Sequence, residues 1–298
     1  MTVVAITGAS GFIGQALGQA LRQRGDDVRP VARDANGAFV ASPLDGADVV
    51  VHLAGAPLAQ GRWTAARKRT IEESRSAGTR ALVDMVRELS RPPKVWVNAS
   101  AIGIYGDRGD EVLTEASDVG APGPDGAAFL ARVCAGWERE ALRVREAGLR
   151  VAIVRLGLVL SPGGGALKTM LPLFRAGGGG PMGNGSQFWS WVSLHDVVRA
   201  MVFAIDTQTF AGTANVVSPT PLTAGEFAQG LGKALHRPAL IPAPAFALKW
   251  ALGEMAQATV LASQRVIPTR LEGAGFTFAH RVLSDALAFE LEAAALGA

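Results

Sequence analysis

The sequence predicts an α/β fold: a doubly wound, mostly parallel sheet with a smaller C-terminal α/β lobe on the substrate side. Short β-branched runs alternate with longer helical stretches through the N-terminal half, which is the pattern of βαβ units. The chain has 298 residues and is 49% apolar. It is therefore long enough to bury a large core in one or two domains without disulfides or metals.

The N-terminal elements follow from this alternation. Strands are predicted at residues 3–7, 28–32, 48–53, 95–99 and 150–155, and long helices at 12–24, 64–89 and 127–147. The interval 33–47 is too short for a full helix and strand, so one βαβ unit is expected to be eroded. Pro30 places the second strand near a sheet edge, because proline cannot donate to an interior ladder.

Glycine-rich segments mark the second half of the chain. Residues 163–165 and 177–180 flank a short apolar helix predicted at 167–174, and four consecutive glycines indicate either a mobile loop or a close backbone approach. Ser193 is expected to cap a helix that runs through Ala204. Thr223 and Glu226 match a capping box and begin another helix.

Composition excludes several classes of function. Cys134 is the single cysteine, which fits a reducing cytoplasm, and four scattered histidines make a metal site improbable. The net charge of +3 does not demand nucleic acid. The uncharged stretch 176–194 is too polar and glycine-rich to span a membrane, and no targeting segment is seen. A cytoplasmic protein with a small-molecule partner, and without nucleic-acid or membrane partners, is expected.

The segment Thr7–Gly14 follows a strand and opens a helix, which predicts a dinucleotide site of Rossmann type. Gly8 permits the tight turn, Gly11 lets the backbone approach a pyrophosphate, and Gly14 lets the helix pack on the strand. The helix N-terminus offers free amides to the phosphates. We therefore divide the chain into a dinucleotide core at 1–160, to which 195–218 returns, and a substrate-side lobe at 161–194 and 219–298.

Further motifs carry a family resemblance. The GxxGxxG spacing resembles the extended short-chain dehydrogenase/reductases, as do three later segments: His52-Leu53-Ala54-Gly55, Asn98-Ala99-Ser100 with Tyr105-Gly106, and Arg155–Val159 with Pro162-Gly163. Arg62-Trp63-Thr64, Trp137-Glu138, the 177–191 segment and the C-terminal Gly275-Phe276 are similar to one atypical subfamily. That subfamily is called nucleoside-diphosphate-sugar epimerase-like and has a C-terminal domain of unknown function. The resemblance implies cofactor contacts at Gly8, Ser10, Gly11, Phe12, Ile13, Gly14, Arg33, Leu53, Ala54, Gly55 and Leu158.

The end of the second predicted strand favours NADP(H) over NAD. Ala32 stands where an NAD enzyme of this fold carries an acid for the ribose 2′-hydroxyl. Arg33 can fork onto a 2′-phosphate, with help from the Ser10 hydroxyl. Asp34 is the one residue that argues for NAD, because it lies at a distance along the chain that suits the acid.

The proton-transfer pair of the superfamily is missing from the sequence. A Tyr-x-x-x-Lys motif places both side chains on one helix face, and the lysine lowers the tyrosine pKa. The one tyrosine is Tyr105, and Gly109 stands four residues on. The corresponding helix positions hold Phe129 and Val133, with Trp137 one turn further. This apolar stripe indicates packing.

Other chemistry-bearing residues leave alternatives open. Ser100 and Tyr105 are the catalytic candidates, each with a packing role as the alternative. Cys134 suits a small buried hydrophobe better than a thiolate. His195 with Asp196 fits either an acid–base pair or a helix cap, and Trp189 with Trp191 either a lid or buried packing. A group of basic residues fits either a solvated helix face or a clamp for an anionic substrate. Its members are Arg62, Arg67, Lys68, Arg69 and Arg75.

Two functions follow from these residues. One is an NADP(H)-binding atypical extended short-chain dehydrogenase/reductase that lacks the Tyr-x-x-x-Lys pair. It would act as an epimerase or oxidoreductase on a small substrate, and a nucleotide-linked substrate is one option. The other is a catalytically silent NADPH-binding sensor or scaffold. The glycine turn favours both equally, whereas the apolar Phe129 and Val133 favour the second. Nucleic-acid binding through residues 62–75 is unlikely at this net charge.

Overall fold

A parallel six-stranded sheet forms the centre of the computed structural model, which describes residues 1–120 and 125–296. The strands are β1 (Val3–Thr7), β2 (Asp27–Val31), β3 (Val49–His52), β4 (Val95–Ala101), β5 (Val112–Leu113), β6 (Arg150–Leu156), β7 (Leu158–Leu160), β8 (Phe188–Trp189), β9 (Trp191–Ser193), β10 (Gly212–Val216), β11 (Leu222–Thr223) and β12 (Arg265–Val266). The helices are α1 (Phe12–Gln23), α2 (Ala65–Arg87), α3 (Asp125–Leu142), α4 (Gly165–Arg175), α5 (Leu194–Asp206), α6 (Ala224–Ala234), α7 (Ala245–Leu252), α8 (Glu254–Ala258), α9 (Thr269–Gly273) and α10 (Leu283–Leu296).

The order in the main sheet is β10-β6-β4-β3-β1-β2, with every neighbouring pair parallel. The chain leaves β1 for β2 on one side and returns to β3 on the other. The order therefore reverses between β1 and β3, where Thr7 lies opposite His52. In an open α/β sheet such a reversal opens a crevice at the carboxyl ends of the strands.

Helices cover both faces of this sheet. On one face, Ile6, Val51 and Val154 pack with α1 and α5. On the other, Ala5 and Val50 pack with α2 and α3. Successive strand residues point to opposite faces, so a strand buried on both sides must be apolar throughout. This is why the interior strands β1 and β3 are nearly continuous apolar runs, whereas the edge strand β2 carries Arg29 and Pro30.

The predicted erosion of one unit is confirmed. Residues 32–48 contain no helix, and an isolated bridge between Arg33 and Phe39 stands in place of a strand pair. Pro30 lies in the edge strand β2, as predicted. Two expectations need correction. The helix predicted at 127–147 is α3 followed by a separate 3-10 helix at Arg143–Ala147, and β10 was not foreseen as a strand.

The C-terminal lobe contributes at least one strand to each of three two-stranded sheets, β11-β8, β12-β5 and β7-β9, in which β5 and β7 come from residues 1–160. Its core brings α4, α6 and α10 together around Trp189 and Trp191. The predicted caps at Ser193 and Thr223 are present, and Thr223 forms a complete capping box with Glu226. Over the described ranges, none of the helices combines the length and apolar character needed to cross a membrane.

Candidate functional site: a dinucleotide crevice and a polar cleft

The glycine turn joins β1 to α1 in the geometry that the spacing predicts. Gly8 has φ +70, and a Cβ there would lie 2.9 Å from the Ala54 amide nitrogen. A Cβ on Gly14 would lie 2.3 Å from the Gly8 carbonyl oxygen, so α1 packs directly on the turn. Gly11 is exposed and caps α1 with extended backbone and without a side-chain hydrogen bond. The first amides of α1 are thus presented at the crevice, where a phosphate can accept from them.

The segment after β3 forms the second wall of the crevice. The Leu53 amide donates to the Thr7 carbonyl oxygen at 3.2 Å, and the Ala54 amide lies 3.3 Å from Thr7 Oγ1. A Cβ on Gly55 would lie 3.1 Å from the Arg75 guanidinium carbon. The candidates Leu53, Ala54 and Gly55 therefore stand beside the glycine turn.

The electrostatic character of the crevice is positive at the end of β3. Burial, with the nearby charges of Arg33 and Arg75, lowers the pKa of His52 to about 3. His52 is fully buried, and its ring nitrogens lie 2.6 Å from Thr7 Oγ1 and 2.8 Å from Thr79 Oγ1. The histidine is neutral and structural, whereas the two arginines supply charge that suits an anion.

Arg33 and Asp34 have different surroundings. Arg33 is exposed at the end of β2, and its guanidinium lies 4.0 Å from the Phe39 ring centroid. The Asp34 Oδ1 atom accepts from the amides of Asn36 at 2.8 Å and Ala38 at 3.0 Å. The Asp34 carboxylate, which was the feature that favoured NAD, thus accepts hydrogen bonds within its own loop through Oδ1. Ser10 is exposed in the glycine turn.

Phe12 links the turn to the C-terminal lobe. A Cβ on Gly164 would lie 2.5 Å from the Phe12 ring, so the ring sits against bare backbone. Ile13 packs on the same core as Phe12 and Val159. Leu158 precedes Val159 at the start of β7 and pairs with Trp191. The structure therefore gathers Gly8–Gly14 and Leu53–Gly55 closely, whereas Leu158 lies on β7, which pairs with β9 outside the main sheet.

The two catalytic candidates belong to one buried polar network. Ser100 Oγ donates to Glu138 Oε1 at 2.6 Å, and Arg155 binds both oxygens of Glu138 at 2.8 Å. Arg155 also donates to the Tyr105 hydroxyl at 2.9 Å, which in turn donates to Asn215 Oδ1 at 2.8 Å. Ser100 is 2% exposed and Tyr105 is 0% exposed. Burial raises the pKa of Tyr105, although Arg155 opposes the rise.

Glu138 and Arg155 were not among the predicted site residues. They are 17 positions apart on α3 and β6, so no sequence spacing joins them. The one sequence feature that indicates this buried pair is a charged residue in an apolar segment, since Glu138 follows the stripe of Phe129, Val133 and Trp137. Such buried charges persist only when they are paired.

The apolar stripe on α3 is core packing, as predicted. Phe129 and Val133 are 3% and 1% exposed, and the Phe129 ring packs edge-on against Trp63 with centroids 5.2 Å apart. Trp137 is also buried, with the Arg75 guanidinium 5.1 Å from its ring centroid. No proton-transferring group occupies these helix positions.

The remaining candidates have structural contacts. Asp196 is buried and accepts from the amides of Ala279 and His280, so it anchors the C-terminal segment. Trp189 and Trp191 are buried. Burial raises the pKa of Cys134 to about 11. Among the residues described, no cluster of His, Cys, Asp or Glu suits a metal ion.

The basic residues just before and along α2 bind carbonyl oxygens and a carboxylate of neighbouring segments. Arg62 donates to the Trp250 carbonyl oxygen, Arg67 to the Pro57 carbonyl oxygen, and Lys68 pairs with Glu254. Arg75 donates to the carbonyl oxygens of Ala56 and Ile71 at 3.1 and 3.2 Å, while Arg69 is exposed. These contacts fit neither the solvated face nor the anion clamp for the group as a whole.

A polar cleft of about 640 Å³ lies beyond the end of β4. Three separate segments meet there: residues 107–110, residues 183–188, and residues 245–263 of α7, α8 and the following loop. The glycine-rich stretch before it is a close backbone approach, because a Cβ on Gly180 would lie 2.1 Å from the Ile241 carbonyl oxygen. Because its walls are distant along the chain, residue spacing does not predict this cleft. Its polar and charged lining residues are Asp107, Asp110, Asn184, Ser186, Gln187, Lys249, Gln257 and Ser263.

A parallel sheet with a glycine turn at its reversal point defines a Rossmann-type α/β protein. The pattern of the NAD dependent epimerase/dehydratase family matches residues 4–217, and a domain of unknown function, DUF1731, matches residues 243–290. The chain belongs to the NAD dependent epimerase/dehydratase family. The predicted resemblance, including its C-terminal domain, is confirmed.

Known proteins resemble the chain over nearly its whole length. The epimerase family protein ML0860 of Mycobacterium leprae is 39% identical, over 96% of this chain and 95% of that protein. The crystal structure of human epimerase family protein SDR39U1 (isoform 2) with NADPH is 32% identical, with a TM-score of 0.89 over 97% of this chain and 99% of that one. The structure of MoeE5 with UDP-glucose and NAD shares the fold alone, at 22% identity and a TM-score of 0.77 over 99% of each chain.

Proposed function

We propose that the protein is an NADP(H)-dependent oxidoreductase or epimerase that acts on a small polar molecule. The observation that carries this proposal is the crevice between β1 and β3, where an exposed helix N-terminus meets a positively charged wall. The similarity to a protein crystallised with NADPH supports it. The cofactor would supply hydride transfer, and this chain's residues would bind and orient it.

The residues proposed to hold the cofactor have distinct tasks. Gly8, Gly11 and Gly14 let the backbone amides of Phe12 and Ile13 face the pyrophosphate. Leu53, Ala54 and Gly55 form the opposite wall. Leu158 lies on β7, which pairs with β9. Arg33, assisted by Ser10, would bind the 2′-phosphate. The choice of NADP(H) over NAD is supported by Asp34, whose carboxylate is already used within its own loop.

The polar cleft is the proposed substrate site. It begins two residues after Tyr105, beyond the carboxyl end of β4, which is the edge where open α/β sheets bind ligands. Ser100 and Tyr105 are joined to each other through Glu138 and Arg155, and neither lines the cleft. Their burial supports a positioning role over direct proton transfer, so we propose that water or a cleft side chain moves the proton.

A second candidate is an NADPH-binding sensor or scaffold without turnover. It is favoured by one observation: both candidate catalytic hydroxyls, Ser100 and Tyr105, are enclosed in the network and are 2% or less exposed. A protein that retains the cofactor crevice but encloses its hydroxyls can report the NADPH level without consuming it.

Turnover separates the two candidates. Purified protein with NADPH is assayed at 340 nm against aldehydes, ketones, free sugars and nucleotide sugars, with Gly11→Asp as the control that blocks the pyrophosphate position. Oxidation of NADPH that depends on one substrate class and is lost in the control is the expected result. Because an epimerase returns its hydride within each turnover and causes no net oxidation, the sugars and nucleotide sugars are also incubated with NADP+ and checked by NMR for a changed epimer. Tight NADPH binding with neither oxidation nor epimerisation across the panel would contradict the enzyme and favour the sensor.

We also propose the domain division at 1–160 with 195–218 against 161–194 with 219–298, and a cytoplasmic location. The family patterns, which end at 217 and begin again at 243, support a boundary near 218. The lone buried Cys134 is compatible with a reducing compartment.

A further inference from the structure

We infer that the polar cleft binds an uncharged, hydroxyl-rich molecule and rejects nucleoside diphosphates. The inference rests on the proposed function in taking the cleft as the substrate site. It departs from what a nucleotide-sugar epimerase would require, because such an enzyme must hold a diphosphate beside its sugar.

The charge of the cleft is the first argument. Its charged lining residues are two carboxylates, Asp107 and Asp110, and one ammonium, Lys249. Two negative charges against one positive leave the lining at −1. A nucleoside diphosphate carries roughly two or more negative charges at neutral pH, so a lining of −1 repels it. Because Asp110 and Lys249 are exposed, this repulsion is strongest at low ionic strength. Diphosphate sites instead present arginine forks or several free amides.

Two guanidinium groups lie near the cleft: Glu111 neutralises Arg108, whereas Arg265 keeps its positive charge beside Phe188. Arg108 binds both carboxylate oxygens of Glu111, at 2.8 and 2.7 Å, and donates to the Asp118 carbonyl oxygen at 3.2 Å. Arg265 stacks on Phe188, with its guanidinium carbon 4.8 Å from the ring centroid. Neither lines the cleft. In the first turn of α7, the Ala247 amide is bonded to the Pro244 carbonyl oxygen at 3.0 Å.

The hydrogen-bonding groups are the second argument. Asn184 Oδ1 accepts from the Ser186 amide and hydroxyl at 3.0 and 2.9 Å, which fixes the amide plane. Gln187 Nε2 donates to the carbonyl oxygens of Met182 and Val260 at 2.9 and 2.8 Å, so its position is fixed as well. Asp107 Oδ1 accepts from the Ser263 amide at 3.1 Å.

These fixed amides and carboxylates offer both donors and acceptors. A hydroxyl group both donates and accepts, so it can use either kind of partner, whereas a phosphate oxygen accepts only. Phe188 and Leu261 add apolar surface on the same walls, which suits the C–H face of a sugar ring. The arrangement therefore matches a polyhydroxylated, uncharged ligand.

The test compares charged and uncharged probes on protein saturated with NADPH, which keeps the nucleotides out of the dinucleotide crevice. Saturation-transfer NMR is recorded with glucose, maltose, UDP and UDP-glucose. We expect transfer to the two uncharged sugars, lost in Ser186→Trp, and none to UDP. Asp110→Lys changes the lining from −1 to +1 and is expected to increase UDP affinity at least tenfold, whereas Asp285→Lys on α10 is the control.

UDP or UDP-glucose binding to the wild-type protein, weakened by Lys249→Ala, would overturn the inference. So would the absence of transfer to either uncharged sugar. NADPH binding is measured first on the same sample. If NADPH binds and UDP also binds at the cleft, the inference fails while the proposed cofactor stands. If NADPH does not bind, the proposed function fails, and the apo protein with the Lys249→Ala comparison still decides what the cleft accepts.

Discussion

At the scale of single residues, the network Ser100–Glu138–Arg155–Tyr105–Asn215 explains why this chain can keep its single tyrosine without a lysine partner. The Tyr105 hydroxyl both accepts from Arg155 and donates to Asn215, so its hydrogen-bonding capacity is used inside the fold. Leaving such buried groups unpaired would cost about 1–3 kcal/mol each. Tyr105 thus joins β6 to β10 through its contacts with Arg155 and Asn215.

Because Tyr105 is the only tyrosine, its ionisation can be measured without interference from another phenol. Burial raises its pKa above the ordinary value near 10. The folded state therefore holds this proton more tightly than the unfolded state, and this contribution to stability is lost as the pH rises above the ordinary value. We expect the phenolate absorbance near 295 nm to appear only above pH 10. A phenolate that forms below pH 10 in folded protein would contradict this account.

At the scale of elements, two glycines of the β1–α1 turn have different roles: one allows helix packing and the other leaves room for the phosphates. Gly14 is needed for packing, because a Cβ would lie 2.3 Å from the Gly8 carbonyl oxygen and 2.8 Å from Ala9 Cα. Gly11 has φ −72, and its Cβ would meet only the Gly8 carbonyl oxygen, at 3.3 Å. Alanine at Gly11 is therefore tolerable to the fold but stands where the phosphates approach.

The matched pair Gly11→Ala and Gly14→Ala tests this division. We expect Gly14→Ala to lower the free energy of unfolding by roughly 1–3 kcal/mol, as overpacking does. Gly11→Ala should change stability by less than about 1 kcal/mol and weaken NADPH binding at least tenfold, or about 1.4 kcal/mol. Urea unfolding and NADPH titration by fluorescence measure both. Equal loss of stability in the two variants would refute the separate roles.

How far the sequence predicts the molecule depends on the range of the interactions. The glycine turn, the eroded interval 33–47 and the cap at Thr223 are local, so residue type and spacing sufficed. The pairing of Glu138 with Arg155 joins a helix to a strand and required coordinates. The cleft required more, because residues near 107, 184 and 249 meet only once the C-terminal lobe has folded. The position of Asp34 along the chain suggested an NAD-type acid, because spacing does not show that its carboxylate accepts from the amides of its own turn.

At the scale of the whole molecule, the fold places the cofactor crevice and the cleft beyond the same carboxyl edge of the sheet. Two contacts join this part of the dinucleotide core to the C-terminal lobe: Arg62, just before α2, donates to the Trp250 carbonyl oxygen, and Lys68 on α2 pairs with Glu254. Since a ligand that binds only the folded state stabilises it, NADPH at 100 times its Kd should add about 2.7 kcal/mol to the free energy of unfolding.

The central claim is that this crevice selects NADP(H), and cofactor affinity tests it most directly. Kd values for NADPH and NADH are measured by calorimetry on the wild-type protein, on Arg33→Ala, and on Arg29→Ala, a control on the same edge strand that pairs with Asp27. We predict NADPH binding at least tenfold tighter than NADH in the wild type and in Arg29→Ala. In Arg33→Ala the difference should disappear through loss of NADPH affinity, because one charge-assisted contact is worth roughly 1.5–3 kcal/mol. Equal affinity for the two cofactors in the wild type, or a preference that survives Arg33→Ala, would contradict the claim.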